Sequence, residues 1–338
     1  MRAARIHSHG DLDVLQIDNV PLPDVQPGQV RIQLKAAALN HLDIWVRRGI
    51  PGSKLPMILG SDGAGIIHKT GEMTHRFKVG DEVIIQPLVY CGECRQCMAG
   101  NENYCDKMGI MGESVNGTNC EYIVLEERLV ESKPVDLSFE DAAAFPLAGQ
   151  TAYQMLIKRA QIQPGENILV WGASSGVGHL AVQIAKAVGC NVIATAGSRE
   201  KCQFARELGA DLIVNHFEDD IINEIRKFCG KVDVVLEHVG QKTWGTSMKV
   251  LNKCGRIVTC GATTGATVQI DLRHLFYKQQ TVLGSTMGSA DSLTQVIKMV
   301  EEKQVIPRVD KLFPLENIQS AHEYLEQSNQ FGKVVLTI

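Results

Sequence analysis

Apolar and polar positions follow two grammars along the chain. In the first third, Val30, Ile32, Leu34, Ala36 and Ala38 alternate with Arg31, Gln33, Lys35 and Ala37, and a period of two predicts a strand with one face buried. Turn residues recur at short intervals, in Gln26-Pro27-Gly28, Pro51-Gly52 and Val79-Gly80-Asp81, the last leading into Val83-Ile84-Ile85. Such punctuation favours a barrel-like or sandwich-like β domain. From about residue 165 short continuous apolar runs alternate with helical segments, the pattern of a parallel sheet covered on both faces. Strands are predicted at 168–171, 192–195, 212–214, 232–236, 256–259 and 282–284, which suits a doubly wound sheet. Between the first two, Leu180, Ile184 and Val188 recur every fourth position with Ala181 and Ala185 beside them, making one apolar helix face. After Gly288 come a helical segment and a last strand at 334–337, expected to return to the first domain.

Composition narrows the class. A chain of 338 residues with 44% apolar and 21% charged residues is the size of two packed domains and excludes disorder. Thirty-four basic against thirty-eight acidic residues give a net charge of -4, and no basic run is longer than Arg47-Arg48, so a footprint for nucleic acid or anionic lipid is missing. The expected partner is a small molecule. No apolar stretch approaches the roughly 18 residues of a membrane span, and Met1-Arg2-Ala3-Ala4-Arg5 lacks the apolar core of a signal peptide; the expected compartment is the cytoplasm. Of the ten cysteines, Cys120, Cys190, Cys202, Cys229, Cys254 and Cys260 are scattered, as suits small buried hydrophobes in a reducing compartment rather than a disulfide framework.

The strand at 168–171 runs into Gly172-Ala173-Ser174-Ser175-Gly176-Val177-Gly178 and then into the helix carrying Leu180. Glycines let the backbone approach a pyrophosphate, and the helix start supplies free N–H groups and partial positive charge. A strand–glycine turn–helix inside a βαβ unit is the informative context for a dinucleotide site. At the end of the next strand a carboxylate would select NAD by binding the ribose hydroxyls; the chain instead has Thr195-Ala196-Gly197-Ser198-Arg199-Glu200-Lys201, small, hydroxyl-bearing and basic. NADPH is the expected cofactor ahead of NADH, with Ser198, Arg199 and Lys201 near the 2′-phosphate.

The remaining four cysteines, Cys91, Cys94, Cys97 and Cys105, fall within fifteen residues with Gly92 and Gly100 among them. Such a loop can close round one tetrahedral ion. Zinc fits best, and a closed four-thiolate shell leaves no position for water or substrate, so a structural role is expected. An iron–sulfur cluster, which also takes four thiolates, and four free cysteines clustered by chance are the alternatives.

Together these features resemble the medium-chain dehydrogenase/reductase superfamily, the zinc-type alcohol dehydrogenases and quinone oxidoreductases, over essentially the whole chain. The likeness lies in Asn40-His41-Leu42-Asp43, Gly60-Ser61-Asp62-Gly63-Ala64-Gly65, Val79-Gly80-Asp81, the four cysteines, Gly149-Gln150-Thr151-Ala152-Tyr153, the glycine turn, and Gly255-Arg256-Ile257-Val258-Thr259-Cys260-Gly261. The resemblance implies an α/β protein with a GroES-like β-rich catalytic domain at 1–127 and 288–338, carrying the zinc lobe at about 91–105, and a Rossmann domain at 128–287. It further implies a cleft at their junction and a homodimer or homotetramer. It puts Thr151 beside the nicotinamide, Gly172 and Ser174 to Gly178 (Ser175, Gly176, Val177 among them) beneath the pyrophosphate, and Val239, Gly261 and Ala262 along the nicotinamide ribose. His216, where relatives often carry a tyrosine, and Lys333 complete the cofactor set, with His238 a further residue able to touch it.

The departures bear on mechanism. Where zinc-dependent alcohol dehydrogenases carry a catalytic Cys, a His and a second Cys, this chain has Asn40, Ser61 and Leu147, which cannot replace two thiolates and an imidazole. The catalytic ion is expected to be absent. Without a Lewis acid, alcohol oxidation loses the charge stabilisation an alkoxide needs, whereas a conjugated acceptor yields a delocalised enolate that hydrogen bonds can support. The expected activity is therefore NADPH-dependent reduction of an α,β-unsaturated carbonyl, an enoyl thioester or a quinone. Asn40 is the candidate donor to the substrate carbonyl, with Asp43 orienting its loop and Tyr90 able to reach the cleft. A zinc-type alcohol dehydrogenase, or a non-enzymatic NADPH-binding protein, are the alternatives.

Overall fold

Strand Gln29–Ala38 serves two cores at once in the computed structural model, which describes residues 1–338. Val30, Ile32 and Leu34 join a cluster with Ile67, Val83, Ile85, Ile123 and Val130, while Ala37 on the opposite face joins one with Leu39, Ile44, Phe313 and Leu336. The alternation expected of a half-buried strand is present at its start. At its end Ala36, Ala37 and Ala38 are all buried, because residues from the C-terminal part of the chain cover the face that the pattern left open.

The sheet built round this strand has seven members. Its order is Val130–Ser132, Glu82–Ile85, Asp62–Thr70, Gln29–Ala38, Lys333–Thr337 and Val309–Pro314, with Tyr122–Glu126 also pairing Gln29–Ala38. All pairs are antiparallel except the last, Val309–Pro314 with Lys333–Thr337. The C-terminal strand thereby pairs Val335 with Ala38 and Thr337 with Ala36, which brings residue 333 beside residue 40.

The chain divides into two units, one of Met1–Ala148, Ser289–Ile297 and Pro307–Ile338 and one of Gly149–Gly288 and Lys298–Ile306. Residues 128–148, expected in the second domain, lie in the first. Val130–Ser132 adds antiparallel to Glu82–Ile85, and helix Phe139–Ala143, capped by Ser138 accepting from the Asp141 N–H, packs on strands Gln29–Ala38 and Asp62–Thr70.

The second unit carries six parallel strands: β1 (Asn167–Val170), β2 (Asn191–Ala196), β3 (Leu212–Asn215), β4 (Val232–Glu237), β5 (Leu251–Thr259) and β6 (Thr281–Gly284). Their order is β3-β2-β1-β4-β5-β6, the doubly wound arrangement with its reversal between β1 and β4. Helices α1 (Gly176–Val188), α2 (Arg199–Glu207), α3 (Ile221–Cys229) and α4 (Gln241–Val250) connect the first five strands. Strand β5 begins at Leu251 rather than 256; Cys254 with φ 57 and Gly255 interrupt the apolar run there and hide its first half from a pattern reading. Leu169, Ile193, Val214, Val235 and Ile257, one from each of the five strands β1 to β5, form the core with Ile225 from α3. No helix of the chain is long and apolar enough to cross a membrane.

Candidate active site and metal centre

The glycine turn occupies the strand reversal of the second unit. Trp171 follows β1, Gly172 adopts φ 58, and its N–H donates to Thr195 Oγ1 of β2 at 3.0 Å while the Ala173 N–H donates to the Thr195 carbonyl at 2.9 Å. Ser175 caps α1 by accepting from the Gly178 N–H at 2.9 Å, a contact whose loss typically costs about 1 kcal/mol. A Cβ on Gly178 would lie 2.2 Å from the Gly172 carbonyl oxygen, so only glycine lets α1 start this close to the turn. Leu180, Ala181, Ile184 and Ala185 bury the apolar face of the helix, and Gly189 ends it at φ 93. The rigid result presents Ser174 to Val177 at a helix N-terminus, a geometry suited to a phosphate anion.

The other cofactor candidates fall into two groups at the carboxyl ends of neighbouring strands. Beyond β2 and β3, Ser198 caps α2 through the Lys201 N–H at 3.2 Å, Arg199 is exposed, and a Cβ on Gly197 would touch His216 Nε2 at 3.1 Å. His216 packs edge-on against Phe217; its burial, and then the charge of Lys201, lower its pKa from the ordinary value. Beyond β4 and β5, the Thr264 N–H and hydroxyl both donate to the Val239 carbonyl at 2.8 Å, and a Cβ on Gly261 would stand 3.0 Å from the His238 carbonyl. That packing draws Val239, Gly261 and Ala262 together. Thr151 is buried within helix Pro146–Tyr153.

In the first unit a sealed polar cluster surrounds Asp62. Its Oδ1 accepts from the Leu147 N–H at 2.7 Å, and its Oδ2 accepts from Asn40 Nδ2 at 2.9 Å and from Lys333 Nζ at 2.9 Å. Lys333 also donates to Asn40 Oδ1 at 2.6 Å. Asn40 begins helix His41–Arg48, and its own N–H donates to Asp43 Oδ2 at 2.7 Å, while Asp43 Oδ1 takes the Gly60 N–H at 3.0 Å. Burial pushes the Asp43 carboxyl up to about 6, against the opposing pull of the Asn40 and Gly60 N–H groups and of Lys333.

This geometry revises two expectations. The Asn40 amide is directed to Asp62 and to the Ala38 carbonyl, at 3.5 Å, and its oxygen to Lys333, so it has no donor left for a substrate carbonyl. The Lys333 amine, expected on the cofactor, is 2% exposed and lies between Asn40 and Asp62. The Asp43 carboxyl accepts from the N–H groups of both Asn40 and Gly60, which joins the two loops. Tyr90 lies beneath Arg128, whose guanidinium is 5.4 Å from the ring centre and donates to the Tyr90 carbonyl at 3.0 Å. Burial, then the Glu102 charge, raises its phenol above the ordinary value, which makes it a weaker acid. Ser61 is fully buried and donates to the Met111 carbonyl at 2.7 Å.

The hub, Asp62, was not among the residues expected to act. Its signal is a carboxylate inside the apolar, glycine-rich run 60–65, a costly position unless a partner meets the charge.

The four cysteines converge. Their sulfurs all lie within 4.8 Å of one another, with Cys91–Cys97 at 3.8 Å, Cys94–Cys97 at 3.6 Å and Cys91–Cys105 at 3.6 Å. A Zn–S bond of about 2.3 Å sets tetrahedral sulfur separations of roughly 3.8 Å, so the set fits that ion. The Cys94 N–H points at Cys91 Sγ and the Lys107 N–H at Cys105 Sγ, orienting the ligands as metal-site loops do. Backbone N–H groups of Glu93 and Cys94 bring the Cys91 thiol down to about 6.

Comparison with known proteins covers both units. Residues 26–135 match the family model described as an alcohol dehydrogenase GroES-like domain, and residues 176–302 match that of a zinc-binding dehydrogenase. A crotonyl-CoA carboxylase/reductase from Cereibacter sphaeroides is 31% identical over 95% of this chain and 83% of its own length. An alcohol dehydrogenase from Geobacillus stearothermophilus is 33% identical over 96% of both. Among solved structures, an NAD-dependent alcohol dehydrogenase superposes with a TM-score of 0.97 at 43% identity, covering 100% of each chain. A crotonyl-CoA carboxylase/reductase, AntE, in complex with NADP does so with a TM-score of 0.91 at 26% identity, over 100% of this chain and 94% of that one.

Proposed function

The chain belongs to the medium-chain dehydrogenase/reductase superfamily of oxidoreductases, and from that footing we propose that it is an NADPH-dependent reductase of activated double bonds or quinones that works without a catalytic zinc. One observation carries the reading: the Asp62 carboxylate is neutralised internally by Lys333, with Asn40, Ser61 and Leu147 where zinc-type relatives have ligands. A divalent ion there would have to displace a buried ammonium, and Leu147 offers it no donor atom. Reduction of a conjugated carbonyl or a quinone tolerates this lack, because the charge that develops is delocalised and hydrogen-bond donors can hold it.

NADPH, when bound, would supply the hydride. The chain's own part is to seat it. Ser174 to Val177 at the α1 N-terminus would take the pyrophosphate, and the Gly197–Lys201 stretch with His216 would take the 2′-phosphate, Ala196 leaving out the carboxylate that would repel it. Cys91, Cys94, Cys97 and Cys105 would hold one structural zinc, closed to substrate. A reducing, cytoplasmic setting and a homodimer or homotetramer are part of the same proposal.

Alcohol oxidation is the second reading, favoured by the likeness to alcohol dehydrogenases. Metal analysis of purified protein joined to an acceptor survey separates the two. The proposal expects one zinc per chain and turnover of enones, enoyl thioesters or quinones with NADPH. Two zinc ions per chain, together with oxidation of simple alcohols, would overturn it.

A further inference from the structure

The sheet reverses between β1 and β4, and ligands of open α/β sheets bind outside the carboxyl ends of the strands at such a point. Two consecutive residues stitch those two ends together. Glu237, the last residue of β4, is fully buried. Its Oε1 accepts from the N–H groups of Val239 at 2.8 Å and Gly240 at 3.0 Å and from Thr243 Oγ1 at 2.9 Å. Its Oε2 shares that single Thr243 hydroxyl proton, at 2.8 Å, and accepts from Ser247 Oγ at 2.9 Å. Ser247 Oγ in turn accepts from Trp171 Nε1 at 2.9 Å, and His238 Nε2 donates to the Trp171 carbonyl at 2.8 Å. Trp171 is the residue from which the glycine turn departs.

Burying a carboxylate is costly even when its oxygens are satisfied, and an apolar residue would serve packing alone. The donors that Glu237 collects come from the turn after β4 and from α4, and one of them reaches across to the end of β1. We propose that Glu237 is a positioning residue for the dinucleotide: it locks the β4–α4 turn and, through Ser247 and Trp171, the entrance of the glycine turn in one register, preforming the crevice for the half of the cofactor that lies over β4. The inference rests on the dinucleotide reading above.

Calorimetric titration of wild-type protein, Glu237→Gln and Ser247→Ala with NADPH and with adenosine 2′,5′-bisphosphate tests it. The glutamine keeps the shape but sets a donor among donors; the alanine removes only the hydroxyl between Trp171 and Glu237. Both variants should weaken NADPH, by about tenfold and about threefold. Both should weaken the bisphosphate less than NADPH, because that fragment meets the glycine turn through one phosphate and none of the β4 half of the crevice. Unchanged NADPH affinity in folded Ser247→Ala, or an equal loss for both ligands, overturns the proposal. If Glu237→Gln fails to fold, Ser247→Ala decides alone. A wild-type chain that binds no NADPH sinks the dinucleotide reading itself, and the inference with it.

Discussion

Lys333 Nζ lies 2.9 Å from Asp62 Oδ2, with side-chain exposures of 2% and 0%. The two residues are 271 positions apart in the chain, and the pairing of Lys333–Thr337 with Gln29–Ala38 brings them together. Desolvation offsets most of the attraction in a sealed ion pair of this kind, so it gives little or no net stabilisation over a well-packed apolar pair, yet removing one partner strands a buried charge.

Lys333→Met should therefore destabilise the chain by about 3–5 kcal/mol in urea unfolding, with Lys333→Met/Asp62→Leu recovering much of the loss. A single variant less than about 1 kcal/mol weaker than wild type would mean that water reaches Asp62 and that the pair is not sealed.

Asp43 gives stability a pH dependence of unusual sign for a carboxyl. Burial holds its folded pKa at about 6, above the unfolded value of about 3.9. Between those values the folded chain keeps a proton that the unfolded chain has lost, so this group's contribution falls as pH rises, by up to about 1.4 kcal/mol per unit, and levels off above pH 6. Asp43→Asn removes the titration. Its stability deficit relative to wild type should be largest near pH 4 and shrink toward pH 6; a deficit constant with pH would contradict the raised pKa.

Cys94→Ser breaks the four-thiol set at a sulfur 3.6 Å from Cys97 Sγ. Zinc content by mass spectrometry should drop from about one per chain to a small fraction, while NADPH affinity, proposed to be set in the other unit, stays within about twofold. Undiminished zinc would place the ion elsewhere.

Ala196 ends β2, and its carbonyl accepts from the His216 N–H at 3.0 Å. Ala196→Asp puts a negative charge where the 2′-phosphate is proposed to sit, and the ratio of NADPH to NADH affinity should fall by at least about tenfold. An unchanged ratio would remove the phosphate from this place.

Local chemistry made much of this protein legible from its sequence. The strand–glycine turn–helix succession, the four clustered cysteines and the alternation in Gln29–Ala38 each depend on neighbours in the chain, since turn geometry, ligand spacing and strand period are short-range constraints. Even there the pattern failed where local signals conflicted: Gly255 and Cys254 concealed the start of β5. The division implied by the resemblance put 128–148 in the second domain, whereas strand pairing carries these residues into the first unit.

Two assignments lay beyond any local reading. Asn40 and Lys333 both carry polar heads suited to a substrate or a phosphate, and only the fold shows them committed to each other and to Asp62. Glu237 looks like the polar end of an apolar strand until Val239, Gly240, Thr243 and Ser247 turn their donors inward upon it. The sequence by itself determined which side chains could accept, donate or ligate. Tertiary structure decided which of those groups are satisfied internally, because a buried charge takes its partner from whichever strand or helix packs against it, at any distance along the chain.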